Sequence, residues 1–595
     1  MSTDTIKINV PVLARVEGEG ALELCIEKQQ ITDLKLRIFE PPRYFEKFLE
    51  GRNYYDVPDT VARICGICPV AYQMSAVHAM ESIFDISITP WIRDMRRLMY
   101  CGEWLQSHSL HIHLLAAPDF LGFSSGIEMA ETYGDEVRRG LKLQTLGNDL
   151  IAFFGARSVH PVGVRVGGFS KAPDKKQAAD LLTRVVEAKQ DAIDLIHWLD
   201  TLTLPEDNQD FISVALHHDH EYAFNEGRLI SDHGLDIEIS EFDQHFKEHH
   251  VDHSTALYCL LEGKPYLVGP LARINLNQNQ LPDAVKTLME NLKTTFPSKN
   301  MFHSMIARAI EMYFAILEAE KLLSHYSVPK NAYIEFVPRA GTGFGCTEAP
   351  RGFLWHRYDM DDAGCVTKAV IVPPTSQNQS RIEEDLKNSL INFGLHQQKD
   401  ALQLHAEKVI RNYDPCISCA THFLDLTLIR DGQIRDGMQD EHIQHNLPPA
   451  DFSSVNLQQT AIIGIGSPHP GDDLGWLAID SLKQNKHIQK RIKQGLSLHK
   501  LDRPGPSLIN HLQHYKHVLI IDAIKPGTTD NEHLWLNANQ LKSLNSTASS
   551  HLLGLAESLQ LMHSLQLAHA DIDVLGLSTH QPEQLCNLLA SCFGY

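Results

Sequence analysis

The chain has 595 residues, of which 43% are hydrophobic and 21% are charged, so we expect a globular protein with two or more domains. Its formal net charge of −21 argues against nucleic-acid binding, because such binding needs Lys and Arg to neutralise phosphates. No apolar run reaches the roughly 20 residues of a membrane span, so we expect no membrane span. The first residues contain no secretory signal, so we expect a cytoplasmic protein, with export by a partner subunit's signal as the alternative.

The first four hundred residues are predicted to be mainly helical. Helical periodicity with few breakers covers residues 90–117, 175–199, 302–326 and 398–409. Strand-like runs interrupt the helices at residues 6–10, 21–26 and 366–372. The expected fold of residues 1–424 is therefore α+β and mainly helical.

The composition changes after His422. Residues 425–458 are polar and include Pro448 and Pro449, which predicts a linker. Beyond the linker, strand-like runs at residues 460–465, 518–524 and 572–577 alternate with helical stretches. This alternation predicts a separate three-layer α/β domain over residues 459–595.

The cysteines indicate a metal site. Four of the eleven form two Cys-x-x-Cys pairs, Cys65 with Cys68 and Cys416 with Cys419. Paired thiolates at this spacing can bind a metal from a tight turn, and two pairs can supply four ligands. The spacing alone also fits a structural zinc or a redox disulfide.

The residues around the two pairs carry a family resemblance. The pairs stand in Arg63-Ile-Cys65-Gly-Ile-Cys68-Pro-Val-Ala-Tyr72 and Asp414-Pro-Cys416-Ile-Ser-Cys419-Ala-Thr-His422. Further segments occur in the family's order: Arg15-Val-Glu17-Gly, Arg43-Tyr-Phe-Glu46, Pro118-Asp119, His160-Pro161 with Gly167-Gly168, and Glu348-Ala-Pro-Arg351-Gly. Over residues 5–424 the chain resembles the large subunits of nickel–iron hydrogenases.

The resemblance implies a nickel–iron centre that cleaves and forms dihydrogen heterolytically. It implies that Cys65 and Cys416 are terminal nickel ligands, and that Cys68 and Cys419 bridge nickel to iron. The implied iron also carries carbonyl and cyanide ligands. Soft thiolates suit these metals, and a terminal thiolate such as that of Cys416 is a candidate proton acceptor.

The resemblance also assigns residues around the centre. Arg351 corresponds to an arginine above the open metal face, where a fixed cation can polarise the bound molecule. Asp119 and Asp414 are expected to hold the Arg351 guanidinium, since carboxylates fix its orientation as well as its charge. Glu17 corresponds to the carboxylate that passes protons towards solvent.

Two more positions complete this set. Glu46 and His422 correspond to the protein ligands of a structural Mg²⁺ ion. Tyr72 stands where many relatives have His, and a phenol can donate a hydrogen bond towards a bridging sulfur but does not titrate near neutral pH. We interpret Tyr72 as typical of the cytoplasmic, nicotinamide-linked branch of the family.

The C-terminal domain has a resemblance of its own. Its first strand and loop, Ala461-Ile-Ile-Gly464-Ile-Gly466-Ser-Pro-His-Pro-Gly471-Asp472-Asp473, are similar to those of hydrogenase maturation endopeptidases. A nucleotide-binding loop is the alternative, but no third Gly opens a helix. The resemblance implies that Ni²⁺ in the precursor is sensed by Asp473, Asp522 and His551, and that the precursor is cut after His422.

The resemblance further implies partners: an iron–sulfur small subunit, flavin- or NAD(P)-binding diaphorase subunits that pass electrons to NAD(P), and maturation proteins. Two other functions compete with this one. A quinone-reductase-like subunit of the same fold lacks the four cysteines, so this chain argues against it. A catalytically inert large-subunit-like protein could instead act mainly as a maturation or nickel-processing peptidase.

Overall fold

The computed structural model describes residues 5–10, 13–40, 44–420, 452, 455–466, 473–502, 504, 508–523, 533–537, 555–565 and 570–577. The chain forms two compact units, one of Met1–Met129 with Asp135–Leu426 and the other of Ala130–Gly134 with Thr427–Tyr595. Most of the predicted linker, residues 425–458, lies outside the described residues, so its boundaries stay a prediction.

The strands of the first unit form several small antiparallel sheets. They are β1 (Thr5–Val10), β2 (Gly20–Glu27), β3 (Gln30–Ile38), β4 (Val164–Arg165), β5 (Gly168–Phe169), β6 (Val214–His217), β7 (Arg228–Ser231), β8 (Asp236–Ile237), β9 (Phe246–His249), β10 (Tyr258–Leu261), β11 (Gly341–Ala349), β12 (Gly352–Met360) and β13 (Val366–Val372). The sheets have the orders β1-β2-β3, β4-β5, β6-β7-β8, β9-β10 and β11-β12-β13.

Helices build most of the core of this unit. They are α1 (Phe45–Leu49), α2 (Val57–Val61), α3 (Pro69–Phe84), α4 (Pro90–Leu110), α5 (Ala117–Leu121), α6 (Gly126–Thr132), α7 (Gly134–Gly155), α8 (Lys175–Thr201), α9 (Phe242–His245), α10 (Pro270–Asn277), α11 (Asp283–Glu290), α12 (Ser304–Ser324), α13 (Pro374–Phe393), α14 (Lys399–Asn412) and α15 (Ile417–Ala420).

The predicted elements of this unit are confirmed, with one difference. The helical runs at 175–199, 302–326 and 398–409 are α8, α12 and α14, and the three strand-like runs are β1, β2 and β13. The run at 90–117 is not one α-helix, because α4 ends at Leu110 and a π-helical segment, His111–Ala116, follows. Such segments re-aim the side chains that come after them.

Helix α8 begins with a capping box and continues with an apolar face that packs in the core. The Asp174 side chain accepts a hydrogen bond from the Gln177 backbone N–H at 2.9 Å, and the Gln177 side chain accepts one from the Asp174 N–H. This reciprocal capping satisfies two donors that the first turn leaves free. Leu181, Val185 and Ala188 then recur at helical spacing on the buried face, which packs against α12.

A stripe of glycines lets β11 approach α3 closely. Gly341, Gly343 and Gly345 alternate along β11 and therefore face the same side. A Cβ at Gly345 would lie 1.9 Å from the carbonyl oxygen of Ser75, and one at Gly343 would lie 2.1 Å from that of Ala79. The strand thus packs directly on the helix backbone, which fixes the position of the helix that follows the first cysteine pair.

The second unit contains a mixed sheet in which β14 is an inner strand, between β15 and β16. Its described elements are β14 (Thr460–Gly466), β15 (Ser497–Asp502), β16 (His517–Ala523), β17 (His533–Asn537), β18 (Asp571–Leu577), α16 (Leu474–Gln484), α17 (Lys486–Lys493), α18 (Leu508–Leu512) and α19 (Leu555–Ser564). The order is β15-β14-β16-β18-β17, with the first four strands parallel and β17 antiparallel to β18. This confirms the predicted α/β domain.

Every residue of β14 is buried, as expected for an inner strand of a parallel sheet covered on both faces. Among the described residues of the whole chain, no helix combines the length and the apolar character needed to cross a membrane.

We predict that Gly345→Ala lowers the free energy of unfolding of the first unit by about 1–3 kcal/mol, because the added methyl group collides with helix backbone. Gly341→Ala is the matched control, since its Cβ would meet only the Ile83 side chain, at 3.1 Å. Denaturant unfolding checks the difference. Equal stability of the two variants would contradict this account of the close packing.

Candidate metal centre

The structure brings the two cysteine pairs together in the main core. The Sγ atoms of Cys65 and Cys416 lie 3.3 Å apart, those of Cys68 and Cys419 lie 3.8 Å apart, and those of Cys416 and Cys419 lie 2.8 Å apart. All four side chains are buried, and their sulfurs all lie within 4.8 Å of one another. This arrangement offers one compact donor set of four sulfurs.

The first pair lies in the turn that leads into α3. Pro69 opens the helix, and Cys68 occupies the N-cap position without a side-chain capping bond. The sulfur of Cys68 therefore stays available to the donor set instead of capping its own helix. The sulfur of Cys65 accepts hydrogen bonds from the backbone N–H groups of Ile67 and Cys68, at 3.3 and 3.4 Å.

The second pair is held by backbone contacts from two distant segments. Glu17 and Cys416 form a parallel β-bridge, in which the Ile417 N–H donates to the Glu17 carbonyl at 2.9 Å. The Cys416 N–H donates to Thr375 Oγ1 at 3.0 Å. These contacts place the backbone of the half-buried Glu17 next to the second pair, and its role in proton transfer stays a prediction.

The four thiols cannot all be ionised in this environment. Burial opposes ionisation of Cys65, but hydrogen bonds from the other three thiols outweigh it and lower the pKa of Cys65 well below its usual range. Burial and the neighbouring sulfurs raise the pKa of Cys416 well above its usual range. Soft metal cations relieve this conflict by neutralising the thiolates, so the donor set fits a nickel–iron centre.

Arg351 lies beside the sulfurs, at the tip of a tight turn. Pro350 and Arg351 connect β11 to β12, and Gly352 follows with φ +137°, a conformation that favours glycine. Burial opposes the charge of Arg351, but Asp414 and the cysteine thiolates outweigh it and raise the pKa of the guanidinium well above its usual range. Its Nη1 atom is buried and has no hydrogen-bond partner among the described residues.

Asp414 and Arg273 fix this arginine. Arg351 Nη2 donates to Asp414 Oδ1 at 2.9 Å and Nε donates to the Asp414 carbonyl at 2.6 Å. Arg273 donates to the carbonyls of Ala349 and Pro350, both at 2.9 Å, and so holds the turn from behind. The Arg351–Asp414 contact has the partners that the resemblance implied, whereas Arg273 was missed because no local pattern marks it.

The expected contact between Asp119 and Arg351 is not formed, which corrects the sequence-based expectation. Asp119 Oδ2 accepts from Arg411 Nε at 2.7 Å, Oδ1 accepts from Arg411 Nη2 at 3.0 Å, and a further short hydrogen bond comes from Arg15. Asp119 follows the π-helical segment, so its direction does not follow from helical spacing. Through Arg15 and Arg411, its carboxylate links the segment that contains Glu17 to the segment that contains Asp414.

The proposed Mg²⁺ ligands are described only in part. Glu46 is half-buried, and its Oε1 accepts a hydrogen bond from the Ile371 N–H at 2.7 Å. His422 lies outside the described residues, so the pairing of these two residues stays a prediction.

Tyr72 is wholly buried against the donor set. Burial and the nearby thiolates of Cys419 and Cys68 raise the pKa of the phenol well above its usual range, so it stays protonated. Its ring centroid lies 5.8 Å from that of His356, which is also buried. The chain thus places an imidazole next to the tyrosine that replaces the family's usual histidine.

In the second unit, the structure places Asp473 and Asp522 at one edge of the sheet. Asp522 lies near the carboxyl end of β16, which pairs in parallel with β14, and Asp473 directly precedes α16. A Cβ at Gly475, in the first turn of α16, would contact the carbonyls of Ile465 in β14 and Ile521 in β16. His551 lies outside the described residues.

Comparisons with known proteins agree with this geometry. Residues 43–138 and 259–422 match the family model of nickel-dependent hydrogenases, and residues 503–588 match that of hydrogenase maturation proteases.

The chain aligns with nearly the whole length of individual relatives. The chain is 30% identical over 423 residues to sulfhydrogenase 2 subunit alpha of Pyrococcus furiosus, covering 70% of this chain and 100% of that relative. It is 27% identical over 466 residues to the NAD-reducing hydrogenase HoxS subunit beta of Cupriavidus necator, covering 70% and 95%. A crystal structure of an NAD⁺-reducing [NiFe]-hydrogenase in the H₂-reduced state superposes with a TM-score of 0.65 and 26% identity, covering 71% of this chain and 100% of that one.

We predict that Cys68→Ser reduces the nickel content of the purified protein to background, because a hard oxygen donor cannot replace a soft thiolate in the donor set. Cys259→Ser is the matched control, since Cys259 is equally buried but lies in β10, outside the donor set. Elemental analysis of nickel per chain checks the result. A wild-type nickel content in Cys68→Ser would contradict the assignment of the site.

Proposed function

The chain belongs to the nickel-dependent hydrogenase family and carries a hydrogenase maturation protease domain, and we propose that it catalyses the reversible heterolytic cleavage of dihydrogen at a nickel–iron centre. The observation that carries this proposal is the buried set of four sulfurs next to the guanidinium of Arg351. When bound, the centre supplies the soft, electron-rich site that splitting dihydrogen requires.

The protein's own residues have distinct roles in this proposal. Cys65, Cys68, Cys416 and Cys419 would hold the nickel–iron centre through their thiolates, and small carbonyl and cyanide ligands on the iron would keep it electron-rich. Arg351 would present a fixed cation to the molecule bound beside the four sulfurs, and Asp414 holds this guanidinium in place. Asp119 affects the centre only indirectly, because it forms ion pairs with Arg411 and Arg15 and not with Arg351.

Protons leave the centre through acid–base groups. We assign the first step to Cys416, whose thiolate accepts the proton, and the second to Glu17, which passes it towards solvent. The β-bridge between these two residues supports the assignment, since it keeps their backbones adjacent. Glu46 and His422 bind a structural Mg²⁺ ion.

We assign the electrons to NAD(P), through an iron–sulfur small subunit and diaphorase subunits with flavin and nucleotide sites. The support is a relative named as an NAD-reducing hydrogenase and the likeness to an NAD⁺-reducing hydrogenase structure. A nicotinamide acceptor favours a cytoplasmic location, and maturation proteins are needed to supply the metals and their small ligands.

The fused domain is proposed to process the precursor. It cuts the chain after His422 once nickel is in place, and Asp473, Asp522 and His551 bind the Ni²⁺ that signals this state. Two observations support the assignment: the match of residues 503–588 to maturation proteases, and the common sheet edge of Asp473 and Asp522. Carboxylate and imidazole ligands suit a divalent ion that is held only transiently.

The inert alternative, in which the first unit lacks catalysis and the chain serves mainly as a peptidase, is disfavoured. Without a metal centre, four buried thiols that repel one another when ionised would not stabilise the protein. A quinone-reductase-like subunit is disfavoured for the same reason.

We predict that Glu17→Gln lowers dihydrogen-dependent dye reduction and dihydrogen–deuterium exchange by about 100-fold or more, because the amide keeps the shape but cannot take up a proton. Nickel content should stay at the wild-type value. Glu19→Gln is the matched control, since Glu19 is an exposed carboxylate two residues away. Unchanged exchange in Glu17→Gln would show that protons leave by another route.

We predict that Asp473→Ala leaves the full-length precursor uncut in nickel-supplied cells, whereas the wild-type chain yields a large fragment that ends at His422. Intact-mass spectrometry distinguishes the two. Asp480→Ala is the control, since Asp480 lies on the same helix, α16, and only pairs with Lys500 near the surface. Full-length chain in active wild-type enzyme would contradict the processing role.

A further inference from the structure

The N–H groups at the start of α3 have an unusual partner. The first turn of a helix leaves its N–H groups without intrahelical acceptors, and the N-cap side chain ordinarily accepts from one of them. Here the N-cap residue is Cys68, which makes no capping bond, and the next residue is Pro69, which has no N–H. The donors that need a partner are therefore those of Val70 and Ala71.

Both donors are satisfied by Glu103, which is not a neighbour in sequence. The Val70 N–H donates to Glu103 Oε2 at 2.6 Å, and the Ala71 N–H donates to Oε1 at 3.2 Å and to Oε2 at 3.4 Å. Glu103 lies on α4 and has no exposed surface. A carboxyl group buried this deeply is expensive to ionise, and burial raises the pKa of Glu103 well above its usual range although the two N–H groups oppose this shift. Its oxygens accept hydrogen bonds from these N–H groups in either protonation state.

A second side chain on the same face of α4 holds the turn itself. Gln106 lies three residues after Glu103, so both point to the same side of the helix. Its side-chain Nε2 donates a hydrogen bond to the carbonyl of Ile67, which lies between the two cysteines. Two side chains of α4, the acceptor Glu103 and the donor Gln106, thus bind the backbone of residues 67–71.

We propose that Glu103 and Gln106 are positioning residues that set the placement of the Cys65 and Cys68 sulfurs from outside the donor set. Gln106 fixes the turn between the two cysteines, and Glu103 fixes the start of α3 directly after Cys68. The inference rests on the proposed nickel–iron centre. Neither residue binds the metals. Their effect passes through the backbone of Ile67 and of Val70 and Ala71.

The chain offers a matched control in Glu81. It is also a buried carboxylate, and its Oε1 accepts a backbone N–H, that of Gly167, at 2.7 Å. It lies near the end of α3 and pairs with Arg96 of α4, so it joins the same two helices. Its contacts do not involve the turn between the cysteines. Loss of Glu81 therefore reports on the packing of the far end of α3 against α4 and Gly167, and leaves the contacts of the first cysteine pair in place.

The test compares Glu103→Leu, Glu103→Gln and Gln106→Met with Glu81→Leu and Glu81→Gln in the full-length chain. Three quantities are measured: nickel per chain, the rate of nickel loss to a chelator, and the g-values of the nickel electron paramagnetic resonance spectrum. Melting temperature is recorded for each variant. Hydrogen-bonding partners of metal ligands typically change affinity by about 10–100-fold.

We expect Glu103→Leu and Gln106→Met to lose nickel about 10–100-fold faster than wild type and to shift the g-values. Glu103→Gln should lie between wild type and Glu103→Leu, because its one oxygen can still accept from Val70. Both Glu81 variants should melt at a lower temperature but keep the wild-type spectrum. If Glu103→Leu does not fold, the graded comparison of Glu103→Gln with Glu81→Gln replaces it.

Wild-type nickel loss and g-values in Gln106→Met and Glu103→Gln would overturn the proposal. Equal spectral shifts in the Glu81 variants would also overturn it, since they would assign the effect to general destabilisation. Absence of nickel from the wild-type chain is a different outcome, because it would refute the nickel–iron centre itself.

Discussion

The rest of the first unit depends on keeping four thiols in contact inside a buried core. Cys65 and Cys416 are 351 positions apart in sequence, yet their sulfurs lie 3.3 Å apart with almost no access to water. Such groups repel one another when ionised and lose hydration, so the arrangement is favourable only with cations beside it. Arg351 supplies one positive charge from the protein, and metal ions held by the sulfurs would supply the rest.

This constraint explains why each segment of the site is held by groups other than the sulfurs. Glu103 binds the start of α3, Thr375 binds the second cysteine pair, and Arg273 binds the turn that presents Arg351. None of these contacts uses a sulfur, so the thiols remain available for ligation. The close packing of β11 on α3 adds a rigid support behind the first pair.

The fused second unit places the proposed processing enzyme on the same chain as the metal centre. A peptidase on the same chain is present at a one-to-one ratio with the precursor that it is proposed to cut, and tethering raises its effective concentration at the cleavage site. Two of its candidate ligands, Asp473 and Asp522, lie at the carboxyl edge of the parallel strands, where open α/β sheets place their ligand sites. The metal centre and its processing enzyme would then be made in a single translation product.

The sequence by itself determined the features that are local. Long helices such as α8 and α12, the buried strand β14 and the spacing of the cysteine pairs all follow from periodicity and short-range chemistry. The family resemblance added the contact between Arg351 and Asp414. Only the tertiary structure decided the partner of Asp119, the π-helical break after Leu110, and the contacts of Glu103 and Gln106 with the first cysteine turn. These depend on how distant backbones approach one another, and a side chain's direction at such an approach is fixed by packing that no local pattern encodes.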